Sequence, residues 1–249
     1  MRFSLLVFSL VLLFSCGNRK NTTINVAVAA NAVPVLEELI EIFSDSTGIA
    51  INLIPGSSGK LFTQITQGAP YDLYLSANTD YPEKAFELGF GKEVPVVYCR
   101  GKLVLWSSVK QENKEAMDWL SQDCAIAIAN PKHAPYGLAG MQVLESLNAL
   151  EQLNPRLVYA ENVSQCNQFI ITGNACMGFG SLSTVLLEEY KDFGDWIELD
   201  TSLYSPIQQG MLRITDNPDA IAFYTFLQSD QAKLIFNKRG YSSSNQVQS

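Results

Sequence analysis

"INVAVAANAVPVLEELIEIFSDSTGIAINLIPGSSGK", residues 24–60, decides how the rest of the chain is read. Residues 24–30 are an apolar run of strand length. Residues 34–48 place apolar side chains three to four positions apart, with Pro34 in the first turn and Gly48 past the end, which predicts a helix. Residues 49–56 read as a second strand. The stretch ends on "IPGSSGK" (54–60), which resembles the phosphate loop of a nucleotide-binding enzyme but fails on spacing and chemistry. Only Ser57 and Ser58 separate Gly56 from Gly59, and Leu61 follows Lys60 where a magnesium-holding Ser or Thr is required. What remains is a turn rich in N–H and hydroxyl donors that opens a helix, suited to a smaller anion. Lys60 itself reads as a solvated helix residue rather than a ligand contact.

Working outward, residues 60–68 predict a helix and 71–77 a strand, completing a strand-helix-strand-helix-strand unit that builds a parallel sheet covered on both faces. A second unit follows, with strands at 102–108, 124–131, 156–160 and 175–180 and helices at 137–150 and 163–174. Residues 210–241 supply a further strand and terminal helices that return to the first unit. The expected fold class is α/β with two lobes, each a mostly parallel sheet flanked by helices: 24–101 plus 208–249 for lobe 1, and 102–207 for lobe 2. Ahead of them, "MRFSLLVFSLVLLFSC" carries Arg2 and an apolar run too short to span a bilayer, so residues 1–15 read as an export signal. Leu13-Phe14-Ser15-Cys16 resembles a bacterial lipobox, which makes Cys16 a lipidation site and 16–23 a tether; cleavage without lipid is the alternative.

The 249 residues, 47% hydrophobic, are enough for real cores. The net charge is −8, and removing residues 1–15 takes away one base and no acid, leaving −9. Such a surface repels nucleic acid. Beyond Cys16, the cysteines 99, 124, 166 and 176 lack C-x-x-C spacing. Outside the cytoplasm an even number suggests disulfides. Sequence proximity favours Cys166 with Cys176 and Cys99 with Cys124; buried free thiols are the alternative.

In open parallel sheets, ligands sit beyond the carboxyl ends of strands, where the next helices begin. Four such junctions carry short polar or hydroxyl residues: Ala30-Asn31, Ser57-Ser58-Gly59, Pro135-Tyr136-Gly137 and Asn162-Val163-Ser164. Two fall in each lobe. Helix starts leave N–H groups unpaired and bear partial positive charge, so converging starts could solvate a small dianion without Lys or Arg. The plain alternative makes Asn31, Ser58 and Asn162 ordinary N-caps and Tyr136 a packed aromatic. A hydrolase would have to use the lone His133, in a loop, with no G-x-S-x-G elbow and no carboxylate partner suggested by spacing. No H-E-x-x-H motif or Cys/His cluster offers a catalytic metal site.

"VAVAANAVPVLEELIEIF", "PGSSGKLFTQITQGAPYDLYLSAN", "GKLVLWS", "NPKHAPYGLAGMQVLE" and "AENVSQ…GNACMGFGSLS", in this order over nearly the whole mature chain, resemble the molybdate-binding (ModA-type) proteins of ABC importers, within the two-lobed (type II) extracytoplasmic solute-binding proteins. The resemblance implies a monomer that is not an enzyme and uses no cofactor. It implies capture of molybdate or tungstate in an interlobe cleft, with no protein–metal bond, for delivery to an ABC permease. Carried over by position, Ala30 would offer its N–H, Asn31 its side chain or backbone, Ser58 its hydroxyl and N–H, and Tyr136 and Val163 their N–H groups, with Ser57 and Ser181 as further candidates. Two departures stand out. Ala30 replaces a Ser or Thr common in relatives, and Ser181 stands near where another branch places a ligand tyrosine. A donor-only site suits a fully ionised dianion, because hydrogenphosphate brings a proton with no acceptor, at a cost of about 1–3 kcal/mol. Sulfate is an alternative ligand whose exclusion depends on cavity size.

Overall fold

The computed structural model describes residues 23–243; the expected export signal at 1–15 and the expected lipidation site Cys16 lie outside them. The first part of the chain runs β1 (Ile24–Ala29), α1 (Val33–Thr47), β2 (Ile51–Gly56), α2 (Ser58–Thr66), β3 (Leu73–Leu75), α3 (Asp80–Glu87) and β4 (Val96–Gly101). It continues with β5 (Leu103–Ser107), α4 (Ala116–Leu120), β6 (Ile126–Ala129), α5 (Pro135–Ser146), α6 (Leu150–Leu153), β7 (Leu157–Ala160), α7 (Val163–Ile171), β8 (Met177–Ser181), α8 (Leu182–Val185) and β9 (Asp195–Glu198). β10 (Ile207–Arg213), α9 (Pro218–Phe226) and α10 (Asp230–Lys238) close the described chain.

These strands form two five-stranded sheets, ordered β2-β1-β3-β10-β4 and β7-β6-β8-β5-β9. In each, four strands run one way and one is reversed: β10 is antiparallel to β3 and β4, and β5 to β8 and β9. The reversed strands adjoin the crossings between sheets. β4 ends at Gly101 and β5 begins at Leu103, so the outward crossing is a single residue, Lys102; the return runs from β9 through a 3-10 turn at Thr201–Leu203 into β10.

Pattern explains the layering. On β1, Val26 and Val28 enter a core with Leu36, Leu39 and Phe43 of α1 and with Phe223 and Phe236 of the terminal helices. Ala27, between them, faces Leu61 and Ile65 of α2 on the other side, as the two-residue strand period requires. The second sheet repeats this: Leu103 and Leu105 pack with Val143 and Leu144 of α5, while Val104 and Trp106 pack with Cys166 and Ile170 of α7. The helix signals in the opening stretch hold as well. Pro34 lies in the first turn of α1, and Gly48 stops it at φ 71°, its N–H bonded to the Ser44 carbonyl. α3, α4, α6, α8, β4 and β9 carried no signal strong enough to be read.

The expected disulfides are corrected. Cys124 is bonded to Cys176, and Cys99 and Cys166 are buried free thiols. β6 and β8 are parallel neighbours with Ile126 opposite Met177, so the residues just before each strand come to a Cα separation of 6.1 Å although 52 positions apart. Cys99 lies in the other sheet, and Cys166 points from α7 into the core, its thiol donating to the Phe179 carbonyl. Burial pushes the Cys166 thiol up to about 12.

Two outcomes follow. Replacing both Cys124 and Cys176 by Ser should lower the unfolding free energy by roughly 4 kcal/mol, as expected for opening a loop of this length, measured by denaturant titration. Cys99 and Cys166 should resist a thiol reagent in the folded chain and react once it is unfolded.

Candidate functional site

The four junctions chosen from sequence meet. A small cavity is lined by Ala29, Ala30 and Asn31, by Gly56, Ser57, Ser58 and Ala77, and by Ala134, Pro135, Tyr136, Asn162 and Val163. Residues from both sheets contribute, and none of the lining side chains carries a charge. Ala30, Asn31, Ser57, Ser58, Tyr136 and Val163 are each 5% exposed or less.

Each contributes a donor for a local reason. Ala30 begins a 3-10 turn, Ser58 is the first residue of α2, Val163 the first of α7, and Tyr136 follows Pro135 at the start of α5. First-turn N–H groups have no acceptor in their own helix, so these four are left to other partners. The capping alternative holds for one junction only. The Asn162 side chain accepts from the Gln165 N–H as a normal cap, whereas neither the turn beginning at Ala30 nor α2 nor α5 receives a side-chain cap bond.

The freed hydroxyls are informative. Ser58 Oγ accepts from the Ala77 N–H at 2.9 Å, so its single proton remains available to donate. The Ser58 carbonyl is fixed by the Tyr74 hydroxyl at 2.7 Å. Ser57 Oγ, also against the cavity, is buried without any partner. A buried polar group left unpaired costs about 1–3 kcal/mol, which a bound acceptor would remove.

Asn31 is held from behind. Its Nδ2 donates to Gln209 Oε1 at 3.1 Å and to the Tyr241 hydroxyl at 3.2 Å, while Tyr241 donates to the Asn31 carbonyl at 2.8 Å. The side-chain N–H groups of Asn31 are thus engaged in this network, and its Oδ1 has no partner. Burial raises the pKa of Tyr98, Tyr136 and Tyr241, so this surround stays neutral. Gln209, Tyr98 and Tyr241 were missed from sequence. Gln209 and Tyr241 lie 178 and 210 positions from Asn31, and no local pattern marks them.

Ser181 does not join the site. It is fully buried, bonded to Thr184 and Ser183, and absent from the cavity wall. As the last residue of β8, it is held beneath α8. Lys60 is not a ligand contact either: it pairs with Glu161 at 2.9 Å across the rim. His133 takes part through its carbonyl, which accepts from the Gly59 N–H at 2.9 Å. Tyr81 reaches the Lys132 carbonyl at 3.1 Å, and Ser164 the Ala30 carbonyl at 3.3 Å. All four contacts join elements of the first sheet to elements of the second, so the halves are closed on the cavity. Among the described residues there is no cluster of acidic, His or Cys side chains able to hold a metal, and no helix long and apolar enough to cross a membrane.

The bacterial extracellular solute-binding protein family matches residues 24–242. A Rhodobacter capsulatus protein named molybdate-binding protein ModA is 38% identical over 224 residues, 86% of each chain. The solved Azotobacter vinelandii periplasmic molybdate-binding protein superposes with a TM-score of 0.83 at 34% identity, covering 88% of this chain and 98% of that one. YvgL of Bacillus subtilis, described as a candidate ABC transporter substrate-binding lipoprotein, is 28% identical over 92% of this chain and 90% of its own. The chain belongs to the bacterial extracellular solute-binding protein family, in its ModA-type branch.

Proposed function

We propose that this protein captures molybdate or tungstate as the fully ionised dianion and passes it to an ABC-type permease. The observation that carries the reading is the Ser58 hydroxyl, whose oxygen accepts from the Ala77 N–H and whose proton is left free to donate inside a cavity without charged side chains. The names of the Rhodobacter and Azotobacter relatives support the choice of ligand. In this reading Ala30, Asn31, Ser58, Tyr136 and Val163 offer backbone N–H groups, Ser58 adds its hydroxyl, and Ser57 is the further donor. No cofactor takes part, and the protein works as a monomer outside the cytoplasm. It is anchored through lipid on Cys16, a reading that rests on the lipobox-like Leu13-Phe14-Ser15-Cys16. Lobe 1 comprises 24–101 with 208–249, lobe 2 comprises 102–207, and the two open and close about the crossings at Lys102 and before β10.

Donor chemistry sets the selectivity. Molybdate and tungstate accept at every oxygen, whereas hydrogenphosphate brings a proton that none of the backbone N–H groups can accept. Calorimetric titration with molybdate, tungstate, sulfate and phosphate tests this. The first two should bind, and each at about a thousand times its dissociation constant should add about 4 kcal/mol of stability in a melting scan. Phosphate should do neither, and binding of sulfate alone would overturn the metalate assignment.

Ser58→Ala should weaken molybdate binding by about 1.5–3 kcal/mol, the range for a hydrogen bond to a charged group, while the apo protein still folds. Unchanged affinity would remove Ser58 from the site. Gly59 tests closure: an added Cβ would lie 2.7 Å from the Tyr81 hydroxyl and 3.1 Å from His133 Cα. Gly59→Ala should therefore hold the rim apart and speed ligand release, seen in stopped-flow traces, with little change in the apo melting temperature.

A further inference from the structure

Gln209 lies on β10, fully buried, yet its amide touches both halves of the molecule. Oε1 accepts from Asn31 Nδ2 at 3.1 Å and from the Tyr98 hydroxyl at 2.9 Å, and Nε2 points to the Tyr136 hydroxyl at 3.4 Å. The register between β10 and β4 shifts at Gln209 and Gly210, and a Cβ at Gly101, the last residue before the outward crossing, would come within 2.8 Å of Nε2.

The two ends of a side-chain amide are distinguished by their partners, not by shape. With Gln209 Oε1 facing it, Asn31 must present Nδ2 to the network, and Oδ1 is stranded, buried and unpaired, on a residue that lines the cavity. A fully ionised oxyanion has no proton for that oxygen. Turning Asn31 alone would set its Oδ1 against Gln209 Oε1, two acceptors face to face. Turning both amides together restores complementarity, because Gln209 Nε2 then donates to Asn31 Oδ1 and the Tyr136 hydroxyl donates to Gln209 Oε1. The Tyr98 and Tyr136 hydroxyls serve as donor or acceptor in either state, while the single Tyr241 proton moves from the Asn31 carbonyl to Asn31 Oδ1, leaving that carbonyl to the Ser183 hydroxyl at 3.3 Å.

We propose that Gln209 is a positioning residue whose amide sets the orientation of the Asn31 amide, and that the pair turns together on ligand binding so that Asn31 Nδ2 donates to the oxyanion. The inference rests on the proposed oxyanion reading of the cavity. Tyr98, Cys99, Tyr136 and Tyr241 around Gln209 all have pKa values raised by burial, so at about pH 9 a carboxylate at 209 would be the charge added to this surround. A carboxylate offers acceptors only and would pin Asn31 Nδ2 toward itself.

The experiment is a double-mutant cycle read by calorimetric molybdate titration at about pH 9, using Gln209→Glu, Asn31→Ala and the double variant. Gln209→Glu should weaken binding at least about tenfold in the wild-type background, the affinity equivalent of one charge-assisted hydrogen bond, and far less when Asn31 is already Ala. Equal losses in both backgrounds would mean that the new charge acts directly on the ligand, and wild-type affinity in Gln209→Glu would mean that the amide pair does not turn; either result removes the inference and leaves the oxyanion site standing. Failure of the wild-type protein to bind molybdate would remove both. Should a variant fail to fold, nitrogen-15 NMR of the wild-type protein decides. The Asn31 side-chain amide protons should lose their contacts with Tyr241 when molybdate is added, and persistence of those contacts in the complex overturns the proposal.

Discussion

A doubly negative ion taken out of water must recover its hydration from the protein, and this cavity offers no opposite charge with which to do so. The structure meets that constraint with peptide N–H groups left over at the starts of helices, together with hydroxyls whose oxygens are already engaged or whose protons have no other acceptor. Partial charge spread over several donors suits a tetrahedral acceptor, and it lets the whole chain remain acidic. Lys60, which sequence places beside the site, is drawn off to Glu161 at the rim. The tyrosines beneath stay protonated through burial, so they add no negative charge to the surround at neutral pH.

That arrangement works only if turns from two separate sheets can be brought around one cavity. The sheets permit it because each ends its parallel strands at the cleft and exchanges chain with the other through adjacent, oppositely directed strands, β4 to β5 and β9 to β10. Small residues stand at the closest approaches, Gly59 at the rim and Gly101 at the crossing, where a methyl group would collide with Tyr81, Tyr136 or Gln209. Closure is then sealed by hydrogen bonds between the halves, several of them to backbone carbonyls that any sequence would supply.

How much of this was legible depends on the range of each interaction. The helices α1, α2, α5 and α7 were read from apolar spacing, Pro and Gly, all signals that act within a turn or two. The five proposed donor positions could be read because helix starts after strands are local events, and all five line one cavity. Ser181 stands apart from the cavity because its place at the end of β8 puts it under α8, a matter of packing. The disulfide failed for a related reason: proximity in sequence says little when parallel register sets Cys124 beside Cys176. Gln209, Tyr98 and Tyr241 left no trace, since a buried amide or hydroxyl gains its meaning only from a partner far along the chain.

By itself, then, the sequence determined an acidic α/β chain of alternating strands and helices with donor-rich turns, because periodicity, caps and charge are written in neighbouring residues. Only the tertiary structure decided that those turns enclose one neutral cavity, which hydroxyl protons remain free, and which way the Asn31 amide faces. Those facts depend on hydrogen bonds between groups brought together by sheet register and lobe closure, and such contacts have no local signature.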